Sequence, residues 1–124
     1  MKSLTIDGKL FVSVCSTDSL IPEKGKKIKF DDDIDMEVSI FKIDNEYFCV
    51  SNICPHKHQP VIYKGIVKDC TVTCPAHGWT YDLKTGENTN KHQGIKQLKK
   101  YEIFEKDGDI YIEKPKLEIP KWRQ

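Results

Sequence analysis

The 124-residue chain has no excess of charge of either sign: twenty basic and nineteen acidic side chains leave a formal net charge of +1. That balance excludes a global field that would draw it to nucleic acid or to an anionic membrane surface. Long apolar runs are missing too. The opening stretch MKSLTIDGKLFVSV is too polar for a secretory signal or a spanning helix, so a cytoplasmic protein is expected. There is no internal repeat and no low-complexity segment. The length suits one domain, expected to span residues 1–124. Five cysteines cannot all pair, and a chain this long folds without staples. A reducing compartment is therefore expected, with most cysteines in work other than pairing. No nucleophile–base pair stands out, so the chain is not expected to be an enzyme on its own.

Strand patterns run through most of the chain. LFVSVC (Leu10 to Cys15) alternates apolar and small polar residues, as a half-buried strand does. The following STDSLIPEKG reads as a turn, with one helical turn capped by Ser16 or Asp18. KIKF is a short strand. EVSIFKI and EYFCVSN are strands joined at Asp44-Asn45, and GIVKDCTVTC is a second hairpin. WTYDLKTGEN is a strand and then a turn at Thr85-Gly86. KKYEIFEKDGDIYIEK is a third hairpin, turning at Asp107-Gly108. The tail after Lys114 carries two prolines and is expected to run over the surface. Short strands with turns every eight to twelve residues predict an all-β fold, a small antiparallel β-sandwich or barrel.

Two boxes carry the chemistry: Cys54-Pro55-His56 and Cys74-Pro75-Ala76-His77. Each sits between predicted strands and offers one thiolate and one imidazole. The interval between them is long enough for one hairpin, which would set the two loops side by side. Three metal sites use such donors. A structural zinc takes two cysteines and two histidines, though its paired ligands are usually spaced more widely than Cys-Pro-His. Copper favours another geometry with a weak axial ligand. A two-iron, two-sulfide cluster takes two cysteines on one iron and two histidines on the other, and close spacing within each loop then helps.

The two boxes, with FKIDNEYFCVSNICPH before the first, GIVKDCTVTCPAHGWTYDLKTGE around the second and DGDIYI closing the pattern, resemble the Rieske iron–sulfur motif. The resemblance covers roughly residues 10 to 113. It implies the Rieske fold, with a cluster-binding subdomain of two loops over about residues 53–82 and a separate tail over 115–124. It also implies one [2Fe-2S] cluster per chain, ligated by Cys54, His56, Cys74 and His77. With no catalytic domain following, the chain resembles a free-standing ferredoxin. Its implied partners are a flavoprotein reductase that draws on NAD(P)H and a terminal oxygenase. The alternatives are the small subunit of an assimilatory nitrite reductase, with the large subunit as partner, or a zinc-stabilised binding module.

Against high-potential members of that family, three features differ. Gln59 and Ala76 stand where an extra cysteine pair would brace the loops. Trp79 replaces a serine that donates to a sulfide, and NTNKHQG replaces a proline-rich covering loop. Tyr81 does match the family's tyrosine, whose hydroxyl can reach a cysteine sulfur. Fewer donors predict a potential low in the family's range of about −150 to +300 mV. The free nitrogens of His56 and His77 are expected to face solvent and to lose protons when the cluster is oxidised.

Other residues have plainer readings. His58 is expected at the cluster rim and His92 in a loop. Cys15 and Cys49 behave as small hydrophobes in strands, and Cys70 lies at a turn. Asp31-Asp32-Asp33 is a solvated turn. Trp79 is expected to pack under the cluster loops, and Trp122 to pin the tail. Gly65, Gly78 and Gly86 are expected at turns that other residues would strain.

Overall fold

The computed structural model describes residues 2–30, 36–54, 59–75, 78–90 and 97–114. Asp31–Asp33, His56, His58, Ala76, His77, His92, Trp122 and the tail lie outside them.

Among the described residues the chain forms thirteen strands: β1 (Ser3–Ile6), β2 (Lys9–Ser16), β3 (Lys26–Ile28), β4 (Val38–Ile43), β5 (Glu46–Ser51), β6 (Ile53–Cys54), β7 (Gln59–Pro60), β8 (Ile66–Lys68), β9 (Thr71–Thr73), β10 (Thr80–Asp82), β11 (Lys100–Tyr101), β12 (Ile103–Lys106) and β13 (Asp109–Glu113). All pair antiparallel. They build sheets of order β1-β2-β13-β12, β11-β5-β4-β3, β10-β9-β8 and β6-β7. This is the all-β architecture expected.

Turn chemistry sets the hairpins. Asp107 and Gly108 both have positive φ, 53° and 81°, as a tight two-residue hairpin turn requires. Asp69 (49°) and Cys70 (60°) do the same between β8 and β9. Asp7 (50°) and Gly8 (79°) join β1 to β2, a hairpin the sequence reading did not anticipate. The expected helical turn is a single 3₁₀ turn at Thr17–Ser19. Ser16 is its N-cap residue but makes no side-chain cap; instead Ser19 Oγ donates to the Ser16 carbonyl at 2.7 Å. KKYEIFEKDGDIYIEK is divided between two sheets. Tyr101 pairs with Cys49 of β5, while Ile103 pairs with Ile112 of β13. The register of β13 against β2 shifts between Ile110 and Tyr111, which leaves Val14 as a bulge.

The sheet β11-β5-β4-β3 is buried on both faces. Val38, Ile40 and Cys49 point into one apolar cluster with Val12, Ile110 and Ile112 of the first sheet. Phe41, Phe48 and Val50 point into a second with Ile62, Val72, Tyr81, Leu83, Leu98, Cys54 and Cys74. Two-sided burial explains why EVSIFKI and EYFCVSN read as almost continuous apolar runs. The outer edge of this sheet is β3, whose lysines keep that edge from pairing with another chain.

Candidate metal centre

The two box cysteines end up in the same core. Cys54 closes β6 and pairs with Gln59 of β7. Cys74 directly follows β9. Its N–H donates to the Trp79 carbonyl at 2.7 Å, and the Gly78 N–H returns to the Cys74 carbonyl at 2.9 Å. Gly78 takes φ +73°, where L side chains are strained, as expected for that turn. The hydroxyls of Thr73 and Thr80 meet at 2.8 Å and close the base of this second loop. Gly65 is different. Its φ is −65°, so no turn strain requires glycine there. What excludes a side chain is space: an added Cβ would meet Val72 and would sit 2.8 Å from the Thr73 carbonyl.

Cys54 and Cys74 are both fully buried, and no disulfide joins any of the five cysteines. The Tyr81 hydroxyl lies 4.0 Å from Cys54 Sγ. Burial first, and then the sulfurs of Cys54 and Cys74, push the Tyr81 phenol well above its ordinary range. Both sulfurs thus act on one hydroxyl. Trp79 is half-buried and packs against the same apolar cluster. Two buried thiols in one apolar cluster with a phenol form a soft donor set. They fit the sulfur-ligated iron of a two-iron cluster. Among the described residues no group of three or more His, Cys, Asp or Glu side chains gathers; both box histidines lie outside that set.

The first box is anchored by a residue that sequence reasoning passed over. Asn52 is fully buried and uses its whole amide. Oδ1 accepts from Ser39 Oγ at 2.6 Å and from the Tyr63 N–H at 2.8 Å. Nδ2 donates to Glu37 Oε1 at 3.1 Å and to the Pro60 carbonyl at 3.2 Å. The Asn52 backbone adds bonds to the Glu37 carbonyl and from the Ile62 N–H. The residues just before and just after the loop are thereby tied to each other and to the central sheet. The only signal in the sequence was a polar residue at the end of an apolar run.

Of the remaining cysteines, only Cys70 packs against the cluster that holds Cys54 and Cys74. Cys49 is buried in β5 on the other face of the sheet, Cys15 is half-buried in β2, and Cys70 is half-buried in its turn.

Residues 11–102 match the family model of the Rieske [2Fe-2S] domain. The chain belongs to that family. It is an electron-transfer protein of the Rieske type, and its cofactor is a [2Fe-2S] cluster, in which histidines replace two of the four cysteines. It is 30% identical over 99 residues to the 3-phenylpropionate/cinnamic acid dioxygenase ferredoxin subunit of Photorhabdus laumondii, covering 80% of this chain and 90% of that one. It is also 30% identical over 83 residues to the methanesulfonate monooxygenase ferredoxin subunit of Methylosulfonomonas methylovora, covering 67% and 66%. In fold it is similar to the ferredoxin of carbazole 1,9a-dioxygenase from Nocardioides aromaticivorans. There the TM-score is 0.74 at 21% identity, over 85% of this chain and 98% of that one. A chain assigned as an NADH-dependent nitrite reductase small subunit from Mycobacterium tuberculosis has TM-score 0.76 at 23% identity, over 88% and 98%. At those identities the structural likeness speaks to fold alone. Among the described residues no helix is long and apolar enough to cross a membrane.

Proposed function

We propose that this Rieske protein is the ferredoxin of a multicomponent oxygenase. It would act in the cytoplasm between an NAD(P)H-dependent flavoprotein reductase and a terminal oxygenase. Cys54 and Cys74 would hold the inner iron, and His56 and His77 the outer one, within a subdomain over about residues 53–82. The observation that carries this is the meeting of two fully buried cysteines, one from each box, in a single apolar cluster with Tyr81. The two ferredoxin-subunit relatives support the oxygenase setting.

When bound, the cluster stores one electron. The chain's own residues do the rest. Phe41, Phe48, Val50 and Leu98 keep water from the cysteine side, Trp79 covers the second loop, and Asn52 holds the first in place. His56 and His77, on the outer side, would form the exit path for the electron and give up protons on oxidation.

The test is composition, then transfer. The purified protein should be red-brown, with two irons and two acid-labile sulfides per chain, and Cys54→Ser should abolish both. A colourless protein with one zinc would overturn the assignment. The loaded protein should be reduced by a flavoprotein reductase with NAD(P)H and oxidised by an oxygenase. Co-purification with a large sirohaem protein would move it to the nitrite reductase setting.

A further inference from the structure

Beyond Asp82 the chain turns at Gly86 and runs back along β10. Asn88 pairs with Tyr81 in an antiparallel bridge. The bridge is closed by Asp82 N–H to the Glu87 carbonyl at 2.8 Å and Thr89 N–H to the Thr80 carbonyl at 2.9 Å. In a pair flanked by its hydrogen bonds in this way, the two side chains leave the same face and stand close together. Tyr81 is registered opposite Val72, and Val72 opposite Val67. Val67, Val72, Tyr81 and Asn88 therefore form one row across the inner face of this sheet, the face that covers the second core.

Asn88 is 7% exposed. Its Oδ1 accepts from the Asn90 N–H at 2.9 Å, which fixes the orientation of the amide, because the reversed amide would set two donors against each other. The atom left over is Nδ2, which is buried with no hydrogen-bond partner. A stranded buried donor costs about 1–3 kcal/mol. In a native protein it calls for an acceptor supplied from elsewhere. The neighbour in the row, Tyr81, already directs its hydroxyl toward Cys54 Sγ.

We propose that Asn88 Nδ2 donates a hydrogen bond to a sulfur of the cluster, beside the contact from Tyr81. The proposal rests on the ligand set given above. The sulfurs carry more negative charge in the reduced state than in the oxidised one, so a donor aimed at them favours reduction. Asn88 thus makes up part of the donor loss incurred where Trp79 stands in place of a hydroxyl residue.

The experiment uses the loaded protein and the near-isosteric, donor-free variant Asn88→Leu. The variant should keep its iron and sulfide. At a fixed ambient potential its reduced-to-oxidised ratio should fall about tenfold, which is ~59 mV for one electron. Wild-type protein labelled with ¹⁵N at asparagine should show a weak nitrogen coupling to the reduced cluster by pulsed EPR, and the variant should lack it. An unmoved potential in a fully loaded variant would overturn the proposal, even if thermal stability changed. Should the variant fail to hold its cluster, the labelled wild type decides alone, and absence of the coupling overturns the proposal. A wild-type chain without iron would instead sink the ligand set, and this proposal with it.

Discussion

Replacing Asn52 with alanine removes all four of its amide hydrogen bonds at once. Two consequences dominate. The Ser39 hydroxyl is fully buried and loses its acceptor, and the Glu37 carboxylate, almost as buried, loses a donor. Stranding a buried polar group costs about 1–3 kcal/mol, so two such losses come to roughly 3 kcal/mol before any cavity is counted. Domains of this size are usually stable by about 5–15 kcal/mol, so the variant should fold but should unfold in clearly less urea. The decisive comparison is Asn52→Asp. The aspartate keeps the one oxygen that accepts from both Ser39 and the Tyr63 N–H, yet sets a carboxylate oxygen against Glu37 and the Pro60 carbonyl. Adding Glu37→Gln supplies a donor in return. Urea midpoints and the bleaching rate of the visible chromophore should both recover in the double variant, with a coupling of about 1–3 kcal/mol. If Asn52→Ala costs less than about 1 kcal/mol, or if Glu37→Gln fails to rescue Asn52→Asp, the loop is not held by this network.

Other expectations follow from single contacts. Burial, with a smaller push from the Glu113 carboxylate, raises the Cys49 thiol above its ordinary value of 9.0. Its stabilisation is therefore complete below pH 9 and declines as pH rises past it, by about 1.4 kcal/mol per pH unit. Cys49→Val should flatten urea stability between pH 9 and 11 by that one proton, while Cys15, Cys70 and Tyr47, also raised by burial, contribute equally to both proteins. An unchanged slope would show that Cys49 is not sealed from water. Gly65→Ala drives a methyl group against Val72 and the Thr73 carbonyl, at a cost of about 1–3 kcal/mol; calorimetry should show a lower Tm, and a neutral result would mean that the β8–β9 hairpin shifts freely. Tyr81→Phe removes the hydroxyl next to Cys54 Sγ and should lower the reduction potential with the cluster retained, as read by redox titration.

The sequence revealed the hairpin at 107–108, because Asp-Gly there takes the positive φ that a tight turn needs. The same dipeptide at Asp7-Gly8 was overlooked, because SLTI is too short and polar to read as a strand unless β2 is known to lie beside it. The break between β11 and β12 was illegible for another reason. Alternation runs unbroken through Glu102, and only the competition between β5 and β13 for partners divides the run. At the candidate site, motif spacing picked out the cysteines. Asn52 and Asn88 went unseen, since a buried asparagine has the same letter as a loop asparagine until its partners, or their absence, are known. Gly65 was read as a turn residue when its constraint is the closeness of the neighbouring strand.

Strands β4 and β5 serve as a shared wall for both apolar clusters. A chain that had lost its irons and let Ile62, Val72, Tyr81, Leu83 and Leu98 loosen would lay Phe41, Phe48 and Val50 bare to water while the opposite core stayed intact. Such a species would be half native and adhesive, prone to clump with its own kind before it unfolded. Newly made chains would then need iron and sulfide promptly, and the slowest amide exchange in the finished protein should fall on that wall.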